Sequence, residues 1–233
     1  VTVTRNLPYV VDGDSRHVLD IYAPNDSDSY PVLMFVSGGG WSQGDKTWVR
    51  GLARSLAQDG IGVVAVEHRL TPQVTQAEQA EDLAQAFAWI KANIAEYGGD
   101  PERVAVGGHS AGGHLTALMA MNPAFLEGVG LAQSDVLGVV SLSGALDVRV
   151  RFGRDLSPTT YIAPGLPPFL LLAAEDDLAG FERTAERFHA DLTEQGVNAT
   201  FALIAENDHF TILEDQSALQ TILDWLNGLS VSG

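Results

Sequence analysis

The chain has 233 residues, 45% of them apolar, which fits one large α/β domain over residues 1–233 with a sizeable core. Its net charge of −17 argues against nucleic acid and anionic membranes as partners, since both need clustered Lys and Arg. Cysteine is absent, which removes thiol nucleophiles, disulfides and cysteine-ligated metals together.

No apolar run approaches the ~20 residues of a membrane span, and no basic, apolar leader reads as a signal peptide. The chain begins at Val1 without an initiator Met, so a processed leader or a trimmed terminus stays open. The compartment is open too, with the cytoplasm slightly favoured over secretion. Asn25-Asp26-Ser27 and Asn198-Ala199-Thr200 match the glycosylation acceptor pattern, which is short enough to arise by chance.

Residues 2–22 predict edge hairpin strands. Valine-, leucine- and isoleucine-rich runs at 32–37 and 61–67 predict buried strands of a parallel sheet. Residues 76–97 predict a helix, because Leu83, Phe87, Ile90, Ile94 and Tyr97 recur at steps of four and three. Gly98-Gly99 ends it, and Asp100-Pro101 turns the chain into a strand at 103–108. A helix follows at 111–121, then a strand at 137–142. Residues 149–168 are rich in Pro and Gly without a period, as functional loops often are. The next strand is 168–174. Phe181, Ala185, Phe188 and Leu192 then mark a helix closed by Gly196. A last strand at 199–204 precedes a last helix at 213–229. Alternating strands and helices imply a mostly parallel sheet with helices on both faces.

Gly108-His109-Ser110-Ala111-Gly112 lies between the strand at 103–108 and the helix at 111–121. Gly-x-Ser-x-Gly in that setting is a nucleophile elbow, with Ser110 lifted clear of the sheet. A serine hydroxyl needs a base, and the base needs an acid to orient it. In this arrangement they follow in the order Ser, acid, His. His17 and His68 precede the elbow. His109 sits inside it, its side chain directed away from Ser110. His114 lies one turn on and reads as buried packing. His189 falls within a helix. His209, in the loop between the last strand and last helix, is the candidate base. Glu175, Asp176 and Asp177 follow the strand at 168–174, and spacing does not choose among them.

The negative oxygen of a tetrahedral intermediate needs preorganised donors. Ala111 offers one backbone N–H. Ser37-Gly38-Gly39-Gly40-Trp41 follows the strand at 32–37, and its glycines let N–H groups turn inward. The histidines lack metal-ligand spacing such as His-x-x-x-His with a nearby acid, and no metal or other cofactor is expected.

These segments give the chain a resemblance to the α/β-hydrolase superfamily. It covers nearly the whole chain and is narrower towards compact carboxylesterases of the hormone-sensitive-lipase, feruloyl-esterase and kynurenine-formamidase neighbourhood. Gly38-Gly39-Gly40-Trp41 with Gly44-Asp45-Lys46 looks like the oxyanion loop of that group. Glu67-His68-Arg69-Leu70-Thr71-Pro72, Tyr97-Gly98-Gly99-Asp100-Pro101 and residues 108–115 also match, and Ser157-Pro158 and Pro167-Pro168 resemble the approach to the acid strand. The resemblance implies an α/β-hydrolase fold with a minimal lid. It implies a triad of Ser110, Asp177 and His209, with Asp177 chosen by the family's His-Gly-x-x-Asp strand end. It implies oxyanion donors on Gly39, Gly40 and Ala111, and Trp41 as a substrate-binding wall on the acyl side.

Two departures stand out. Ser37 replaces the usual His that braces the glycines, which predicts a looser loop and a turnover that Ser37→His does not lower. Glu67-His68 reads as packing variation. Arg149, Arg151 and Arg154 near the rim suit either ion pairs or a carboxylate-bearing substrate. The expected function is cleavage of small-molecule carboxylic esters with short acyl groups through an acyl-enzyme on Ser110. The alternatives are an arylformamidase-like amide hydrolase and a non-catalytic binding protein on a hydrolase scaffold. Oligomeric state is not readable from the chain.

Overall fold

A computed structural model describes residues 1–11, 13–25 and 28–229. Asp26 and Ser27 of the first glycosylation pattern lie outside the described residues.

The strands are β1 (Thr2–Pro8), β2 (Val18–Ala23), β3 (Tyr30–Val36), β4 (Gly62–Val66), β5 (Gly99–His109), β6 (Val139–Leu142), β7 (Phe169–Asp176) and β8 (Ala199–Asp208). They form one 8-stranded sheet in the order β1-β2-β4-β3-β5-β6-β7-β8. β1 pairs antiparallel with β2, and β2 with β4; the remaining neighbours are parallel. The hairpin at the N-terminus therefore closes one side of a parallel sheet, with β1 alone at the edge.

The helices are α1 (Arg50–Gln58), α2 (Gln76–Asn93), α3 (Ala111–Met121), α4 (Pro123–Glu127), α5 (Arg149–Phe152), α6 (Phe181–Glu194) and α7 (Gln216–Gly228). The pleat of β3 shows how the sheet divides the core, because successive side chains point to opposite faces. Val32, Met34 and Val36 pack in one layer with Leu83, Phe87 and Leu115 of α2 and α3. Leu33 and Phe35 pack in the other with Leu52 and Leu56 of α1 and Ile222 of α7. Both faces of the central strands are covered, which is why they read as unbroken apolar runs.

Several boundaries differ from the sequence expectation: α2 stops at Asn93 ahead of a 3₁₀ turn at Ile94–Tyr97, β7 runs on to Asp176 and β8 to Asp208. β5 starts at Gly99, so Asp100-Pro101 belongs to a strand. The pairing with β3 jumps from Tyr30↔Gly99 to Val32↔Val104, and the proline sits in that irregular stretch, where its missing N–H interrupts nothing. α7 starts at Gln216 because the Asp215 carboxylate accepts from the N–H groups of Ser217 and Ala218. The aperiodic segment at 149–168 folds into α5 and short 3₁₀ turns at Arg154–Leu156 and Pro158–Tyr161.

Parallel strands deliver their C-terminal ends to one edge of a sheet. Here that edge gathers the residues after β3, β5, β7 and β8, all within the contiguous block β3-β5-β6-β7-β8.

Candidate active site

Ser110 joins β5 to α3 with φ 54 and ψ −118, a left-handed backbone that costs about 1–3 kcal/mol for a residue with a side chain. The flanking glycines let the turn close. A Cβ on Gly108 would sit 2.4 Å from the Gly112 carbonyl carbon, and one on Gly112 would sit 2.3 Å from the Val36 oxygen. Backbone of β3, β5 and α3 thus occupies the space that side chains would need. Gly112→Ala is expected to destabilise the fold by about 3 kcal/mol. Its denaturant midpoint should fall well below that of the parent, and an unchanged midpoint would contradict this packing.

The structure brings Ser110, His209 and Asp177 together in one hydrogen-bonded line. His209 Nε2 is 2.8 Å from Ser110 Oγ, and His209 Nδ1 is 2.6 Å from Asp177 Oδ1. The side chains of His209 and Asp177 are 4% and 1% exposed, so water does not compete for the pair. Burial pushes the Asp177 carboxyl up. Hydrogen bonds from His209, from Ser143 Oγ at 2.5 Å and from the Leu178 N–H at 2.7 Å outweigh it and hold the group below its usual value. The acid therefore stays ionised. Glu175 and Asp176 are both exposed, and Glu175 accepts from the Glu206 N–H instead.

Three rings box the His209 imidazole. His109, Phe181 and Phe210 have centroids 4.7, 5.1 and 5.2 Å away. His109 makes no hydrogen bond to Ser110; its Nε2 lies 2.6 Å from the His209 carbonyl oxygen and donates to it. Ser143 and His109 are contacts that sequence spacing does not reveal.

His114 is fully buried and does more than pack. Its Nδ1 accepts from Trp41 Nε1 at 3.0 Å, and its Nε2 donates to the Leu156 carbonyl at 2.7 Å. Burial pushes His114 down to about 4, and burial with the nearby His209 pushes His109 down to about 4. In an unfolded chain both rings would titrate near 6.5. The unfolded state then binds more protons at mildly acid pH, so stability is lost as pH falls from about 6.5 towards about 4. The urea midpoint should drop between about pH 7 and about pH 5, above the range of ordinary carboxylates. A midpoint that stays flat over that interval would refute the neutral buried imidazoles.

The glycine loop runs through left-handed backbone at Gly39, Gly40 and Trp41, with φ 131, 60 and 65. Among the described residues, the N–H groups of Gly39, Gly40 and Ala111 donate to no backbone carbonyl. Gly39, Gly40 and Ser110 line one cavity of about 470 Å³. The brace that Ser37 does not supply comes from other side chains. Gln79 Nε2 and the Thr71 N–H both donate to the Trp41 carbonyl, at 2.8 and 3.0 Å. Arg16 donates to the Gly44 carbonyl at 2.9 Å and to the His68 carbonyl at 2.8 Å. Arg16 is held in turn by Glu67 at 3.1 Å, and Glu67 also faces buried Lys46 at 3.8 Å. The loop is tied down, and Glu67 is an ion-pair anchor beneath it; these observations correct the looser loop and the packing-variation reading.

Trp41 is 8% exposed, stands edge-on to Phe152 at 4.8 Å and lines the cavity. It both packs the loop and walls the site. Arg149 is taken by Asp147 through bonds of 2.8 and 2.6 Å, and Arg151 lies over the Trp41 ring at 5.3 Å. Arg149 is therefore engaged in an ion pair, one of the two roles its position suits. No residue between Leu146 and Asp177 lines the cavity, whose mouth carries the exposed apolar side chains Trp48, Leu178 and Phe210.

The fold is that of an α/β-hydrolase. The BD-FAE family model matches residues 19–150, more than half of the chain. The chain belongs to this family. It is similar to the probable carboxylic ester hydrolase LipM of Mycobacterium tuberculosis, with 32% identity over 205 residues covering 74% of this chain and 47% of LipM. It is also similar to a probable isoprenylcysteine alpha-carbonyl methylesterase, ICMEL1, of Oryza sativa subsp. japonica, with 43% identity over 120 residues covering 51% of this chain and 28% of that protein. The matched stretches span less than half the length of either relative. Among solved structures, a truncated carbohydrate esterase from gut microbiota superposes with a TM-score of 0.86 at 18% identity, over 97% of this chain and 95% of that one. The Thermogutta terrifontis esterase Est2 with propionate bound gives 0.83 at 24%, over 98% and 96%.

Proposed function

We propose that this chain is a serine-dependent hydrolase of small-molecule carboxylic esters, preferring short acyl groups. The carrying observation is the unbroken line Ser110–His209–Asp177, with bonds of 2.8 and 2.6 Å. Ser110 Oγ attacks the ester carbonyl while His209 Nε2 takes its proton. Asp177 stabilises the imidazolium and keeps Nδ1 protonated, so that Nε2 is free to act as base. The N–H groups of Gly39, Gly40 and Ala111 receive the oxyanion. The imidazolium then protonates the leaving alkoxide, and water, deprotonated by His209, releases the acid from Ser110. In this reading the chain works as one hydrolase domain.

Acyl size is read from Trp41. Its ring is fixed by His114, Phe152 and Arg151, so it is a rigid wall rather than a gate. The apolar mouth at Trp48, Leu178 and Phe210 suits an apolar alcohol, which has room to extend because no lid segment lines the cavity. Across p-nitrophenyl esters, kcat/KM should be highest for acetate to butyrate and fall at least about tenfold by decanoate, as a pocket misfit of more than 1.4 kcal/mol would require. Trp41→Ala should shift the optimum to longer chains. A preference that rises with chain length in the parent would refute the short-acyl reading, and faster cleavage of N-formyl anilides than of esters would move the reaction to amides.

A further inference from the structure

His109 is a buried titratable residue that the hydrolytic mechanism leaves without a role. It is 3% exposed, and it immediately precedes the nucleophile. Its Nε2 donates to the backbone carbonyl of His209 across 100 positions of sequence, and its ring lies 4.7 Å from the His209 ring, tilted by 46°.

The geometry points to His109 as a positioning residue for the general base, acting through the His209 main chain. The distance that matters in acylation runs from Ser110 Oγ to His209 Nε2. Those atoms belong to different loops, one after β5 and one after β8, and β6 and β7 separate the two strands in the sheet. Asp177 fixes the far end of the imidazole but not the backbone that carries it. That backbone follows a residue with left-handed φ, Glu206 at 58, where the β7–β8 pairing loses its register. His109 closes the gap by bonding the elbow's own strand end directly to the residue bearing the base. Nucleophile and base are then parts of one rigid unit. A Cβ on Gly38 would fall 2.8 Å from His109 Nδ1, so the glycine loop packs against the other side of the ring and keeps it in place.

This inference rests on the proposed hydrolase reading, and its test separates the two. The parent, His109→Phe and His109→Gln are compared with p-nitrophenyl acetate. Rates are expressed per site titrated by a fluorophosphonate, which removes differences in folded fraction. His109→Phe keeps a ring but no donor; His109→Gln restores an N–H near the same position. His109→Phe should lose about tenfold to a hundredfold in kcat per labelled site, the scale of a misplaced catalytic group, with KM changed less than about twofold. His109→Gln should recover most of the loss. The downfield proton resonance of the His209–Asp177 hydrogen bond should broaden in His109→Phe and return in His109→Gln. Undiminished kcat in His109→Phe, or a His109→Gln variant as slow as His109→Phe, would overturn the positioning role and leave the hydrolase reading intact. A parent that neither labels at Ser110 nor turns over would overturn both.

Discussion

Ser110→Ala is expected to lower kcat for p-nitrophenyl acetate by about 10⁵-fold or more, close to the loss seen when a triad serine is removed elsewhere. The oxygen removed is the triad atom that the elbow places to bond the acyl carbon. His209 would remain, yet an imidazole that directs a water without the elbow's geometry recovers little of the rate. Any residual turnover would come from donors at Gly39, Gly40 and Ala111 acting on water attack. The fold should survive, because alanine meets the same left-handed backbone at φ 54 that serine already occupies. An intact thermal midpoint with abolished turnover is therefore the expected pair of results. Retention of more than a few per cent of activity would remove Ser110 from the chemistry.

Asp177→Asn should cost about 10⁴-fold in kcat, through the wrong tautomer rather than through lost charge alone. The Asp177 carboxylate accepts from His209 Nδ1, Ser143 Oγ, the Leu178 N–H and, at 3.3 Å, the Ala174 N–H. An asparagine cannot accept on both sides. Its NH₂ must face at least one of those donors. If it faces His209, the ring turns its N–H towards Ser110 and loses the lone pair that takes the proton. If it faces Ser143 and Ala174, a buried donor is set against a donor, which costs about 1–3 kcal/mol. Asp176→Asn offers the control. Its side chain is exposed at the end of β7, and that variant should stay within about twofold of the parent, the surface-substitution range. A fast Asp177→Asn enzyme beside a slow Asp176→Asn enzyme would reverse the assignment.

Much of the architecture was legible because the central strands are buried on both faces and carry few polar residues. The elbow was legible for a different reason. Its glycines answer a steric demand that backbone alone creates, and the demand leaves a fixed spacing. α1 carries a comparable signal in Leu52, Ala53, Leu56 and Ala57, all essentially fully buried, yet nine residues without a capping side chain give it no marked start.

What spacing could not carry is contact between distant segments. Glu175 and Asp176 end β7 exposed, and Asp177 meets His209 only because of the way the chain turns just after that strand. Glu67 looked like a variant of a packing position, whereas Arg16 and Lys46 arrive from other parts of the chain to make it an anchor under the glycine loop. Ser143 and His109 meet the triad through strand order, with no local pattern to announce them. His114 was legible as buried but not as a tie between Trp41 and Leu156, since both its partners lie more than one element away.

Intact-mass and peptide-level analysis after exposure to diethyl p-nitrophenyl phosphate tests most directly whether the hydroxyl at the elbow is activated. One phosphoryl adduct per chain is predicted, on the peptide containing Ser110, with one equivalent of p-nitrophenol released and none from His209→Ala on the same timescale. An unmodified chain, or an adduct carried on another residue while Ser110 stays free, would contradict a reactive serine paired with His209.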